Sequence, residues 1–148
     1  MILLDTNLLA RMTDSSHPQC AVSRRAVHGL LAGQERLVIV PQNLYEFWAV
    51  ATRRSGPPPA GQNGLGMTCE QASHWLQFFQ RRFMLLADRP ELQSCWHTLV
   101  KSLDIKGLRS YDARLAAAMQ TYAIERLLTF NPKDFKNFAV TIIDPATV

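Results

Sequence analysis

The chain has 148 residues, enough for one domain built around a true hydrophobic core. Apolar residues make up 47% and charged residues 19%, a balance that excludes an intrinsically disordered or fibrous chain. The net charge is +4, and twelve of the sixteen basic residues are Arg, whose planar fork matches phosphate; that suits a nucleic acid or an acidic protein partner and does not choose between them.

In chain order, Ile2 to Leu4 predicts a short buried strand that stops at Asp5-Thr6-Asn7. This opening lacks the basic segment of a signal peptide, and Asp5 and Asn7 cut its apolar run short. Ala21, Val22, Ala26, Leu30 and Leu31 fit one helical face, and Leu37 to Val40 predicts a second strand, closed by Pro41. Leu44, Phe47, Trp48 and Ala51 continue as a helix with Pro41 suited to its start. Ser55 to Gly66 is rich in Gly, Pro and Asn and predicts a surface loop. Trp75, Leu76, Phe78 and Phe79 mark a further helix, and Phe83 to Leu86 a weaker strand. Leu92, Trp96, Leu99, Val100 and Leu103 give the next helix, and Leu108, Leu115, Ala116, Met119 and Tyr122 the last long one. Arg126 to Thr129 and Val140 to Ile143 predict the final strands. Near-continuous apolar strands alternating with helices predict an α/β domain with a parallel sheet covered on both faces. No apolar stretch approaches the roughly 20 residues of a membrane helix, so the expected location is cytoplasmic, with no membrane partner. Cys20, Cys69 and Cys95 are dispersed and odd in number, which predicts buried, reduced thiols.

The informative feature is where the acids fall. In open parallel sheets ligands bind beyond the carboxyl ends of the strands. Asp5 follows the first strand, and Thr129, Phe130 and Asn131 follow the strand at 126–129. Glu46 and Asp112 sit on predicted helices among apolar neighbours, where a carboxylate is costly unless paired. Taken singly, each acid has an ordinary role: Asp5 as a helix cap, Glu46 as a partner of Arg53, Asp112 as a surface ion pair with Arg109 or Arg114. Taken together, they could converge on one divalent cation. Mg²⁺ and Mn²⁺ prefer hard oxygen ligands, and carboxylate-held metal can activate water and stabilise a leaving oxygen in phosphodiester hydrolysis. None of the four histidines lies in a context suited to catalysis.

Met1-Ile2-Leu3-Leu4-Asp5-Thr6-Asn7 resembles the opening of PIN-domain proteins. Tyr45-Glu46-Phe47, Asp112-Ala113-Arg114-Leu115-Ala116-Ala117-Ala118 and Leu127-Leu128-Thr129-Phe130-Asn131-Pro132-Lys133-Asp134-Phe135 are similar to the segments carrying their second, third and fourth acids. The order and spacing match over nearly the whole chain. The resemblance extends to the VapC-type toxins, and implies a Mg²⁺- or Mn²⁺-dependent ribonuclease acting on RNA and neutralised by a small antitoxin protein. It implies a single PIN-like domain over 1–148, an α/β/α sandwich around a parallel sheet of four to five strands, and often a homodimer. It implies metal ligation by Asp5, Glu46 and Asp112, with Thr6, Asn7 and Thr129 in support. At the usual fourth acid this chain has Asn131, so the fourth ligand is either that amide or Asp134 three residues on. Arg53, Arg54, Arg109, Lys133 and Lys136 fall near the acid-bearing segments and are candidates for RNA phosphates. Two other functions remain open: a PIN-like module that binds RNA or protein without cutting, and a phosphotransferase using Asp5 as nucleophile.

Overall fold

Five short strands form one wholly parallel sheet in the computed structural model, which describes residues 1–56 and 63–148. They are β1 (Ile2–Leu4), β2 (Leu37–Ile39), β3 (Met84–Leu85), β4 (Arg126–Leu128) and β5 (Thr141–Ile143), in the order β3-β2-β1-β4-β5. Leu3 of the central strand stands opposite Val38 on one side and Leu127 on the other. The connecting helices are α1 (Thr6–Thr13), α2 (Cys20–Ala32), α3 (Pro41–Thr52), α4 (Cys69–Arg82), α5 (Leu92–Ser102) and α6 (Arg109–Thr121).

The alternation of side chains along β1 divides the core in two. Ile2 and Leu4 face a cluster with Leu8, Leu9, Val27, Phe47 and Phe79, which belong to α1–α4. Phe47 and Phe79 meet edge to face, 5.0 Å between ring centroids. Leu3 faces the opposite cluster, where Leu92 of α5 and Ala113, Ala116 and Ala117 of α6 pack against the sheet. Alanines on that face let α6 lie close to the strands. The result is the expected α/β/α sandwich, with all of β1 buried because a central parallel strand is covered from both sides.

The structure corrects the sequence reading in two places. Residues 6–13, where only the end of a strand was expected, form α1; with eight residues it is too short for its Leu8, Leu9 and Met12 to declare a helical period. Cys20 is buried, but Cys69 is exposed in the first turn of α4 and Cys95 is half-buried. The predicted 55–66 loop falls partly at 57–62, outside the described residues. Its flanks are tightly tied: Ser55 and Asn63 form an antiparallel bridge, and the Leu65 and Met67 amides donate to the Val50 and Ala51 carbonyls. A Cβ at Gly64 would stand 2.1 Å from the Arg53 carbonyl oxygen, so only glycine fits this approach. Among the described residues no helix is long and apolar enough to cross a membrane.

The chain walks from β1 outward to β2 and β3, then returns to place β4 on the other side of β1. That reversal opens a crevice at the carboxyl ends of β1 and β4, the position where this sheet architecture takes its ligands.

Candidate active site

Asp5 leaves the end of β1 at the N-cap of α1, yet its side chain makes no capping hydrogen bond. Its Oδ2 instead accepts from the Thr129 hydroxyl at 2.6 Å and the Asn7 amide at 2.8 Å. Asn7 Nδ2 also reaches Thr129 Oγ1, and that oxygen accepts the Asn131 backbone N–H. The residue after β1 and the residue after β4 are thereby stitched together across the crevice.

Glu46 comes from the second turn of α3. Thr6 Oγ1 donates to its Oε2 at 2.7 Å and Gln42 Nε2 to its Oε1 at 2.7 Å. Thr6 is itself held by Asn43, whose side-chain amide donates to Thr6 Oγ1 and the Leu4 carbonyl while its oxygen accepts the Val40 N–H. Asn43 is fully buried and ties the exit of β1 to the entry of α3. Asp112 stands in the first turn of α6, and Asp134 in a short 3₁₀ turn, Pro132–Phe135.

These elements bring Asp5, Thr6, Asn7, Glu46, Asp112, Asn131 and Asp134 onto the walls of one cleft of about 470 Å³, joined by Arg11, Arg53 and Asn63. The acids feel one another. Burial, with the Glu46 charge adding to it, pushes the Asp5 carboxyl up to about 6 against the lowering effect of Thr129. Burial, reinforced by Asp134, Asp5 and Glu46, pushes Asp112 up to about 6 as well. Neither carboxylate has an ion-pair partner within bridging distance among the described residues. The cluster thus crowds carboxylates together with no cation bonded directly to any of them among the described residues.

A model of the PIN domain family matches residues 2–140. The chain belongs to the PIN domain family. No curated protein matches it in sequence. Among solved structures it is similar to a chain of VapBC2 from Rickettsia felis bound to a promoter DNA fragment (19% identity, 97% of this chain and 98% of that one, TM-score 0.68). It is also similar to VapC20 of Mycobacterium tuberculosis, a toxin that cleaves the sarcin–ricin loop (15% identity, 93% and 96% covered, TM-score 0.65). A third likeness is to a chain of a toxin–antitoxin complex from Klebsiella pneumoniae (18% identity, 98% of each chain covered, TM-score 0.66). At these identities the likeness is one of fold.

The groups able to ligate a metal in the PIN-domain cleft are hard oxygen donors, four carboxylates with three amides and a hydroxyl, and neither His nor Cys lines it. That donor chemistry fits Mg²⁺ or Mn²⁺ and not the softer metals. Among the described residues no three His, Cys, Asp or Glu side chains are drawn together tightly enough to cage an ion unaided. A cation here would keep part of its water shell, as Mg²⁺ readily does.

The basic residues singled out from the sequence divide. Arg53 lines the cleft and donates to Asn63 across the neck of the loop. Arg109 donates to the Asp134 carbonyl and lowers the pKa of Asp112 by its charge. Arg54, Lys133 and Lys136 are exposed and stand outside the cleft lining. Arg114, expected as a surface partner of Asp112, instead bonds Gln42 and Asp88. Sequence reasoning missed Arg11, which approaches from the unassigned α1, and the buried amides of Gln42 and Asn43. The signal for those two was present: polar residues in the first turn of a helix that follows a buried strand and precedes an acid.

Proposed function

We propose that the protein is a metal-dependent endoribonuclease, the toxin member of a toxin–antitoxin pair. The observation that carries this reading is the convergence of all four acid-bearing segments on one cleft at the crevice of a PIN-domain sheet, with Asp5 and Asp112 both raised to about 6. Membership of the PIN domain family supports it, and so does the fold shared with chains from toxin–antitoxin complexes and with a toxin that cleaves the sarcin–ricin loop.

Asp5, Glu46 and Asp112 would hold Mg²⁺ or Mn²⁺, with Asn131 or Asp134 completing the oxygen set. When bound, the ion supplies a water of lowered pKa and positive charge for the leaving oxygen. The rest of the work is done by the chain. Thr129 and Asn7 fix the Asp5 carboxylate on one oxygen and leave the other free. Thr6 and Gln42 fix Glu46 with one hydrogen bond to each oxygen. Arg11 and Arg53 place cations in the cleft wall, where they would take the phosphates of an RNA strand.

The test is cleavage of single-stranded RNA by the purified chain with Mn²⁺, with EDTA, and as Asp5→Asn. Cleavage that needs Mn²⁺ and is lost in the variant supports the proposal. RNA binding without metal-dependent cleavage would instead make the chain a binding module, and phosphorylation of Asp5 by a phosphate donor would make it a phosphotransferase.

A further inference from the structure

Gln42 belongs to none of the acid-bearing motifs, yet its side chain bonds both Glu46 and the turn of α6 that carries Asp112. It is buried at 5% exposure in the first turn of α3. Its Nε2 donates to Glu46 Oε1 at 2.7 Å, one helical turn on, and to the Tyr111 carbonyl at 2.9 Å. Tyr111 immediately precedes Asp112 on α6. Its Oε1 accepts from Arg114 Nη1 at 2.9 Å, and the other end of that guanidinium is anchored on Asp88.

The chemistry of the partners leaves the amide one orientation. Guanidinium has only donors, so the atom facing Arg114 must be the oxygen; a carbonyl only accepts, so the atom facing Tyr111 must be the nitrogen. Both amide hydrogens are then used, one on the second acid and one on the turn that carries the third. Thr6 holds the other oxygen of Glu46, so the carboxylate is clamped from two sides in one position.

We propose that Gln42, oriented by Arg114, is a positioning residue that sets Glu46 and the first turn of α6 at the separation a divalent cation requires. The proposal rests on the metal-dependent nuclease reading and deepens it. Gln42 touches no reacting atom and acts through Glu46 and α6.

Mn²⁺ affinity of the full-length chain, measured by calorimetry without RNA, tests it together with the thermal midpoint of the metal-free protein. Gln42→Met keeps the length of the side chain and removes its hydrogen bonds. It is expected to weaken Mn²⁺ binding about tenfold, the lower end of what outer partners of metal ligands contribute. Arg114→Met, on a partly exposed side chain, is expected to weaken binding severalfold and keeps the test alive if Gln42→Met does not fold. Because Arg114 acts through Gln42, the double variant should bind no more weakly than Gln42→Met alone. Arg126→Met, at the opposite edge of the sheet, serves as the control that loses stability and keeps Mn²⁺ affinity. Unchanged affinity in both Gln42→Met and Arg114→Met, or additive losses in the double variant, overturns the proposal. Glu46→Gln separates this from the wider reading: if it too leaves Mn²⁺ binding intact, the metal assignment itself has failed.

Discussion

The two edges of this sheet handle charge in opposite ways. At the amino edge, Glu35 before β2 meets Arg126 of β4 in a two-pronged pair at 2.7 and 2.8 Å. The Arg126 hydrogen bond pulls the Glu35 carboxyl below its ordinary value, and the charge is cancelled on the spot. At the carboxyl edge, burial raises both Asp5 and Asp112 to about 6, with the Glu46 charge adding to it at Asp5 and those of Asp134, Asp5 and Glu46 at Asp112, and a hydroxyl and an amide bind Asp5 where Glu35 has a cation. One edge is electrostatically closed and the other is left with a charge to be matched. A fold that can build a well-made ion pair at one end and does not at the other keeps its imbalance for a ligand, which is why perturbed carboxyls in a cleft mark function.

Removing one of the crowded carboxylates should have the largest effect. Asp112→Asn should lower Mn²⁺-dependent cleavage by at least about 100-fold, more than loss of an outer partner does. The same variant should raise the thermal midpoint of the metal-free protein at pH 7.5, because it removes a carboxylate that burial and three neighbouring acids disfavour. A fall in both activity and stability would mean that Asp112 belongs to the scaffold and not to a site held against its own repulsion.

Next in size is the linkage of pH and metal. A carboxyl raised to about 6 favours the fold fully when protonated, below its unfolded value near 4, and that contribution is lost as pH rises through 6. For Asp5 the loss is on the order of 2–3 kcal/mol between pH 4 and 7.5. Glu35 works in the other sense, its contribution present above its unfolded value and lost on acidification. With EDTA the thermal midpoint should therefore fall between pH 5 and 7.5. Saturating Mn²⁺ should raise it by more at pH 7.5 than at pH 5, since the ligands must be ionised to bind. Equal Mn²⁺ shifts at both pH values would show that the ion binds elsewhere.

A smaller effect is expected from Thr129→Val, which preserves shape in a fully buried position and deletes one hydroxyl. Asp5 loses its shortest hydrogen bond, and the Asn131 amide loses its acceptor. Removing the hydroxyl also removes an influence that lowers the Asp5 carboxyl, so the pH at which Mn²⁺ binding is half-maximal should move upward. The expected cost is about 1–3 kcal/mol of stability from the orphaned buried groups, with cleavage reduced about tenfold. An unmoved pH midpoint would remove Thr129 from the support of Asp5.

What was legible in the sequence follows from the same two edges. The strands could be read because Ile2 to Leu4, Leu37 to Val40 and Leu127-Leu128 are continuous apolar runs, which only a doubly covered sheet explains. Asp5 could be placed because it follows such a run, and Asp112 because it interrupts an alanine-rich helix. The α1 helix could not, since eight residues give too few turns to show a period. The partner of Arg114 could not either: its near neighbour in sequence is Asp112, whereas its bonds go to Gln42 of α3 and to Asp88 between β3 and α5, far along the chain and brought close only by the fold. Local spacing shows which residues share a helix face, and it is silent on pairs made between elements.

The smallest effect belongs to the closed edge. Arg126→Met keeps the apolar stem of the side chain along the start of β4 and removes both hydrogen bonds to Glu35. The pair is about one-third exposed on each side, so water screens the charge left behind and the expected loss is a shift of a few degrees in the thermal midpoint at most. The freed Glu35 carboxyl should return toward its ordinary value, flattening the acid side of the stability profile and leaving the region near pH 6 as it was. Cleavage and Mn²⁺ affinity should stay within about twofold, because residues that far apart with no shared partner act independently. If Arg126→Met altered Mn²⁺ binding, the two edges would be coupled through β1 and β4, and the charge imbalance at the cleft would be a property of the whole sheet, no longer of the few side chains that line one crevice.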